Sequence, residues 1–289
     1  MVIFLVLLNL INHYLSFNYY QDKVLANPSY FDLADFQSVK TEELSKPLFL
    51  DRNLSAEAIL VKEFRGKTLY EKNANLKYPI ASITKILSSY LALKLFSPNE
   101  ILTFTSTAVN QPGEVGSFKV GEKVRVIDLI KASLIASSND SIFLLIESYG
   151  FDKFISLLNE KLNEWGLSNT KIEDSTGLSP KNISTPYEIY QIILKIFSEN
   201  PEIFFLTREE KVIINGKILW STNILLPRYN KIIVGGKTGY TDEAGECLAL
   251  ILKFPSSPYI ALIILNSKDR FGDAETIIRA LAKYYNYDL

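Results

Sequence analysis

The sequence predicts an α/β (α+β) fold in which an antiparallel sheet, assembled from both chain ends and flanked by helices, carries an inserted all-helical lobe. Three observations lead there. Strand-patterned segments occur near the start and again over the last third, helical periodicity fills the middle, and an Asn-Gly turn marks a hairpin after it. The 289 residues suffice for one large domain or two lobes, and no internal repeat interrupts them.

Taken in order, Ala58 to Val61 and Thr68 to Glu71 flank Arg65-Gly66-Lys67 and read as a hairpin. Ser82 to Phe96 is almost wholly apolar between Lys85 and Lys94, the pattern of a buried helix. Val126 to Ala136 and Ser141 to Tyr149 read as helices separated by Ser137-Ser138-Asn139-Asp140, and helical periodicity returns over Lys153 to Trp165 and Pro186 to Phe197. Lys211 to Ile214 and Lys217 to Trp220 enclose Asn215-Gly216 as a second hairpin. Ile232 to Val234, Cys247 to Leu252 and Tyr259 to Leu265 are apolar strands, and a last helix spans Asp273 to Tyr285. The inserted lobe is therefore expected over about residues 82–199 of a catalytic unit covering 51–289.

Composition narrows the chemistry. The chain has one histidine, His13, and one cysteine, Cys247, which excludes a Ser-His-Asp triad, a disulfide framework and multi-cysteine zinc sites. No cofactor or metal is expected. Cys247 reads as a small apolar residue on a core strand. With 31 basic and 32 acidic residues and no basic run, nucleic-acid binding has no support. Residues 1–17 contain an uncharged apolar run, Val2 to Ile11, of signal-segment length, expected to act as a signal peptide or N-terminal membrane anchor; residues 18–50 read as a linker. The protein is expected to be exported, and changing His13 should leave its activity intact.

Three short motifs carry the remaining argument. Ser82-Ile-Thr-Lys85 places a hydroxyl and an ammonium on one face of a helical first turn, where an amine can activate a serine. About two Ser-x-x-Lys matches arise by chance in such a chain. The second one, Ser168-Asn-Thr-Lys171, reads as a turn. Ser137-Ser-Asn139 lies between two apolar helices, where it also suits a helix cap. Gly235-Gly-Lys-Thr-Gly239 precedes a strand and lacks the glycine spacing of a phosphate-binding loop; its glycines permit close backbone approach.

Ser-x-x-Lys, Ser-x-Asn and Lys-Thr-Gly in this order resemble the set used by penicillin-binding proteins and serine β-lactamases. The flanks resemble the low-molecular-mass D-alanyl-D-alanine carboxypeptidases, peptidase family S11: Ser55 to Leu95, Val120-Gly-Glu-Lys-Val, Asp174-Ser-Thr-Gly-Leu178, Ser184-Thr-Pro-Tyr-Glu188, Thr222-Asn-Ile-Leu-Leu226, Gly236-Lys-Thr-Gly-Tyr-Thr-Asp-Glu-Ala-Gly245 and Asp269-Arg-Phe-Gly-Asp273. The resemblance implies a β-lactamase/transpeptidase-like fold. It implies a serine-type carboxypeptidase that acts on peptidoglycan stem peptides through an acyl-enzyme and is inhibited by β-lactams.

Residue by residue, the resemblance makes Ser82 the nucleophile and Lys85 its base. Ser137 relays a proton to the leaving nitrogen, and Asn139 bonds the substrate amide. Lys237 and Thr238 face the terminal carboxylate, and the strand through Gly239 and Tyr240 binds the substrate backbone. The oxyanion donors are the N–H groups of Ser82 and Tyr240. A lysine base requires a depressed pKa, for which burial and a second ammonium, Lys237, are the expected causes.

Two departures stand out. Ser138 occupies a place where many relatives have glycine, which is compatible only with a negative φ there. No basic residue lies between Phe254 and Asn266, where many relatives carry an arginine for the free carboxylate, so DD-endopeptidase activity stays open. A class A-like β-lactamase would need a deacylating carboxylate. Asn159-Glu-Lys-Leu-Asn163 has asparagine in its place, leaving Glu173 as the candidate. A penicillin-binding sensor module is the non-enzymatic alternative.

Overall fold

The computed structural model describes residues 48–50, 53–113 and 116–289; the expected signal segment, nearly all of the linker, and His13 lie outside them. Five antiparallel strands form the main sheet in the order β2-β1-β11-β10-β9. β1 (Ala58–Glu63) and β2 (Thr68–Lys72) come from the first part of the described chain, and β9 (Ile233–Thr241), β10 (Gly245–Lys253) and β11 (Tyr259–Ser267) from its end. β1 pairs with β11, with Ala58 opposite Leu265, and so joins the two ends of the chain; β9 forms the edge.

These strands are apolar on both faces because both faces are covered. Leu60, Ala249, Ile251, Ala261 and Ile263 point into the larger core, whereas Ile59, Val61, Leu248, Leu250, Leu262 and Ile264 belong to a second one closed by Ile277, Ile278 and Leu281 of α9 (Arg270–Tyr284). Burial on both sides gives continuous hydrophobic runs rather than alternation. α9 starts three residues earlier than its periodicity indicates, because Asp269 caps it by accepting from the Gly272 N–H. β9 likewise runs well past Val234, carrying the Lys-Thr-Gly motif as edge-strand backbone.

Between β2 and β9 lies the inserted lobe. It contains α1 (Thr84–Leu95), α2 (Ser106–Val109), α3 (Val126–Ile135), α4 (Asn139–Tyr149), α5 (Phe151–Glu164), α6 (Pro186–Glu199) and α7 (Glu202–Leu206). It is not purely helical. β3 (Tyr78–Pro79) pairs with β6 (Ile183–Ser184), β4 (Ile101–Thr103) with β5 (Lys123–Arg125), and the Asn-Gly hairpin β7 (Lys211–Ile214)–β8 (Lys217–Trp220) packs on α3. The two- and three-residue strands β3 to β6 are too short to leave a periodic signal in sequence, whereas the hairpin is marked by its turn. A one-turn helix, α8 (Leu226–Tyr229), leads to β9.

The loop expected over 137–140 is shorter than its polarity suggests. Ser138 is the N-cap of α4, accepting from the Ser141 N–H at 3.2 Å, so Asn139 and Asp140 are its first two helical residues. α1 is buried nearly all round and is preceded by a single 3-10 turn, Ala81–Ile83, that contains Ser82. Residues 168–169 form the expected turn. Among the described residues no helix is long and apolar enough to cross a membrane, and no cluster of three or more metal-ligating side chains occurs.

Edge strand β9 and α7 touch at Gly235, where an added Cβ would lie 2.1 Å from the Phe204 carbonyl oxygen. Gly235→Ala is therefore expected to destabilise the protein by about 1–3 kcal/mol, the usual cost of overpacking. Urea unfolding of the variant checks this through a lowered midpoint at unchanged slope.

Candidate active site

All three motifs meet where the 3-10 turn, the start of α4 and the middle of β9 converge. Lys85 is fully buried in the first turn of α1, and its Nζ lies 2.8 Å from Ser82 Oγ. The same amine donates to Asn139 Oδ1 at 2.7 Å and to the Thr176 carbonyl at 2.6 Å. Asn139 Nδ2 in turn donates to the Pro112 carbonyl at 2.6 Å, which fixes the amide's orientation toward Lys85. From the opposite side, Lys237 Nζ donates to Ser137 Oγ and to the Thr238 carbonyl, both at 2.9 Å. The Thr238 hydroxyl lies 2.5 Å from that of Thr222. Tyr240 is 58% exposed, and its hydroxyl donates to Asp242 Oδ1.

Every acceptor described for the two amines is a neutral oxygen, and burial without a carboxylate partner disfavours the ammonium form. Burial pulls Lys85 from the ordinary 10.5 down to about 7, with the charge of Asp174 opposing the shift. Burial also drives Lys237 well below its ordinary value, and the positive charges of Lys85 and Arg270 push it further. The expectation that burial depresses Lys85 agrees with this, but the second expected cause, the Lys237 ammonium, does not act on Lys85. Desolvation leads for both, and the like-charge effect falls on Lys237.

The backbone around Ser82 is under constraint. Ala81 has φ +46° and Ser137 has φ +63°, left-handed values that disfavour a residue with a Cβ. Such a conformation costs on the order of 1–3 kcal/mol per residue and persists only where the surroundings impose it. Ser138 has φ −58°, so the serine found in place of glycine is unstrained; the left-handed residue is its neighbour. A Cβ on Gly177 would stand 2.0 Å from the Ala81 carbonyl oxygen, and one on Gly239 would stand 3.0 Å from the Ser82 nitrogen. The Ala81–Ser82 peptide is therefore clamped between the loop after α5 and the strand β9.

Several residues that position the site carry no motif. Asp174 Oδ1 accepts from the N–H groups of Thr176 and Gly177, and Oδ2 accepts from Ser179 N–H, all at 2.7–2.8 Å. This ties down the loop that presents the Thr176 carbonyl to Lys85. Thr222 N–H donates to the Ile135 carbonyl, bringing its hydroxyl to Thr238. Arg270, in the first turn of α9, donates from Nη1 to the Gly239 carbonyl at 2.8 Å. This guanidinium on β9 thus comes from the following helix and not from β11, which has no basic residue. All three lie within segments that carry the family resemblance, but their roles depend on contacts far apart in sequence. Glu173, the candidate for a deacylating carboxylate, instead pairs with Lys171 at 2.8 Å and Lys181 at 3.7 Å. Cys247 is fully buried, and burial lifts its thiol pKa to about 11.

A serine hydroxyl 2.8 Å from a buried, proton-poor lysine is the arrangement of a serine hydrolase whose nucleophile an amine activates. The chain belongs to the D-alanyl-D-alanine carboxypeptidase family, peptidase S11, whose family model matches residues 44–268. It is 28% identical over 242 residues to a D-alanyl-D-alanine endopeptidase of Pseudomonas aeruginosa, covering 78% of this chain and 77% of that protein. It is 30% identical over 230 residues to the D-alanyl-D-alanine carboxypeptidase DacF of Bacillus subtilis, covering 75% of this chain and 59% of that protein. Among solved structures, penicillin-binding protein D2 of Listeria monocytogenes in its cefotaxime-bound form superimposes with a TM-score of 0.71 at 28% identity, covering 80% of this chain and 98% of that one.

The site predicts a pH dependence. If the neutral Lys85 amine acts as the base, acylation by a β-lactam should rise as pH increases through about 7, where Lys85 loses its proton, and fall about tenfold per unit below it. Stopped-flow acylation rates between pH 5 and 9 measure this; a rate independent of pH across 5–8 contradicts it. Gly177→Ala, which displaces the Ala81–Ser82 peptide, should lower the acylation rate by about 10²-fold, comparable to losing an oxyanion donor.

Proposed function

We propose that the protein is a serine-type D-alanyl-D-alanine carboxypeptidase acting on peptidoglycan stem peptides, with residues 51–289 as its catalytic unit. In this reading Ser82 Oγ attacks the carbonyl carbon of the penultimate D-alanine while its proton passes to Lys85. The tetrahedral oxyanion is held by the N–H groups of Ser82 and Tyr240. Ser137, next to Lys237, hands a proton to the departing D-alanine nitrogen, the C–N bond breaks, and an ester on Ser82 remains. Water then hydrolyses the ester and regenerates the serine. Asn139 orients Lys85 and the substrate amide, Lys237 and Thr238 face the terminal carboxylate, and Gly239 allows the strand to lie close to the nucleophile.

The observation that carries this reading is the 2.8 Å contact between Ser82 Oγ and a Lys85 whose pKa lies near 7. At neutral pH such a lysine is about half unprotonated, against about 0.04% for an unperturbed one, roughly a thousandfold more base. The β-lactam-bound relative supports inhibition by the same acyl chemistry. Because the substrate is extracytoplasmic, the reading includes export, with the apolar run of residues 1–17 as leader or anchor at the membrane surface.

A second reading, DD-endopeptidase, is favoured by one feature. β11 carries no basic residue, and the guanidinium of Arg270 already donates to the Gly239 carbonyl. The β-lactamase reading loses support because Glu173 is held at the surface by two lysines.

Intact mass spectrometry after incubation with benzylpenicillin should show one covalent adduct on the wild type and none on Ser82→Ala. No adduct on the wild type, or one that survives the substitution, rejects the assignment. Release of D-alanine from a D-alanyl-D-alanine peptide, compared with cleavage of cross-linked muropeptide dimers, separates the two readings. As a carboxypeptidase, Arg270→Ala should lower kcat/KM on the free peptide about tenfold through KM, the scale of one lost charge-assisted contact, with Arg270→Lys restoring part of it. As an endopeptidase, Arg270→Ala should lower free-peptide and dimer cleavage alike, because it then only releases the Gly239 carbonyl.

A further inference from the structure

The β7–β8 hairpin departs from the rule that a solvated strand face is polar. Its register sets Val212 opposite Leu219, and the next pair on the other face is Ile213 opposite Ile218, followed by Lys211 opposite Trp220. Val212, Ile214 and Leu219 are buried toward the lobe, as a half-buried ribbon requires. The outward face nevertheless leaves Ile213 60%, Ile218 50% and Trp220 62% exposed, and Ile224 just beyond is 67% exposed. Lys211 Nζ lies 5.2 Å from the centroid of the Trp220 ring. A contiguous exposed apolar patch of this kind marks an interaction surface.

The position of the patch indicates its occupant. Two residues after Trp220, Thr222 donates its N–H to Ile135 and sets its hydroxyl against Thr238 in the cleft. Two residues span at most about 7 Å, so the platform begins at the lip of the site and continues outward from it. Its flanks carry both signs of charge, with Lys211 on the face and Glu210, whose carbonyl accepts from the Ser221 N–H, beside it. That balance suits a neutral amphipathic ligand rather than an anionic bilayer.

We propose that this face is a second binding site, for the carbohydrate strand to which the stem peptide is attached: a chain of β-1,4-linked N-acetylhexosamines, with Trp220 as its stacking platform. The inference rests on the reading of the cleft as a stem-peptide site. A pyranose ring presents C–H groups on its faces and hydroxyls at its rim, so it can cover an indole while its polar groups remain in water. Its acetamido methyl groups match Ile213 and Ile218. Two weak sites on one polymer act together, because strand binding raises the effective concentration of stem peptide at Ser82. The platform would make the polymer a better substrate than the excised peptide, with no change in the chemistry.

The test compares the full-length wild type, Trp220→Ala and the double variant Ile213→Ser/Ile218→Ser, all changed at exposed positions. Three measurements apply: pelleting with insoluble peptidoglycan sacculi, tryptophan fluorescence with the N-acetylglucosamine tetramer, and turnover of a soluble D-alanyl-D-alanine peptide. Sacculus affinity should fall about 5- to 20-fold in both variants. The tetramer should change the fluorescence of the wild type and, of the chain's two tryptophans, report only on Trp220. Soluble-peptide turnover and benzylpenicillin acylation should stay within about twofold.

Unchanged sacculus affinity in both variants overturns the proposal. So does an equal loss on the soluble peptide, which would make the hairpin a wall of the cleft. Binding to phosphatidylglycerol vesicles that depends on Trp220, or a dimer in sedimentation that the double variant dissolves, would assign the face to lipid or to a second copy and equally reject it. Failure of the underlying reading looks different: the wild type would then lack both the benzylpenicillin adduct and peptide turnover, whatever its affinity for sacculi.

Discussion

The removal of two lysine amines from water, into a pocket where only neutral oxygens receive them, is the constraint on which the rest of the site depends. Lys85 and Lys237 are almost completely buried, and their hydrogen bonds run to Ser82, Asn139, Thr176, Ser137 and Thr238. A buried charge without a paired opposite charge is costly, and the group responds by giving up its proton near neutral pH. The cost of desolvation thereby leaves a neutral amine beside Ser82. Asp174 opposes the effect on Lys85 from a distance, which keeps that amine titrating near 7 rather than lower.

Holding the amines there requires backbone from distant parts of the chain to come unusually close. Gly177 lies against the Ala81 carbonyl and Gly239 against the Ser82 nitrogen, so the nucleophile's peptide has no room to rotate. The left-handed Ala81 and Ser137 are held by the same convergence, one before the nucleophile and the other bearing the hydroxyl that accepts from Lys237. Strain at these two positions is tolerated because α1, α4, the Asp174 loop and β9 are each anchored in a packed core that outweighs it. The sheet's two covered faces supply that anchorage and leave β9 as the edge available to a peptide substrate.

The parts of this arrangement that were legible in sequence are those that local pattern controls. Apolar runs of strand length announced β10 and β11, Asn215-Gly216 announced the second hairpin, and the buried character of α1 was plain from its lack of a polar face. Where a boundary moved, a specific contact moved it. The Asp269 cap lengthened α9, and the Ser138 cap drew Asn139 and Asp140 into α4. The short ribbons β3–β6 and β4–β5 escaped notice because pairing across distant segments, not residue pattern, creates them. Thr222, Asp174 and Arg270 were visible only as parts of resembling segments, since their work is done on partners 16 or more residues away, or through backbone groups.

By itself, the sequence narrowed the chemistry and proposed its residues. One histidine and one cysteine excluded imidazole triads and disulfides, and three motifs in order, resembling those of a known family, pointed to Ser82 and Lys85. Tertiary structure alone decided whether that lysine can be neutral near pH 7. A Ser-x-x-Lys pair has the same spacing in the surface turn at Ser168 as at Ser82, and spacing carries no information about solvent. Only the packing of α1 beneath Thr176 and Asn139 removes water from Lys85, and removal of water is what lowers its pKa to the working range.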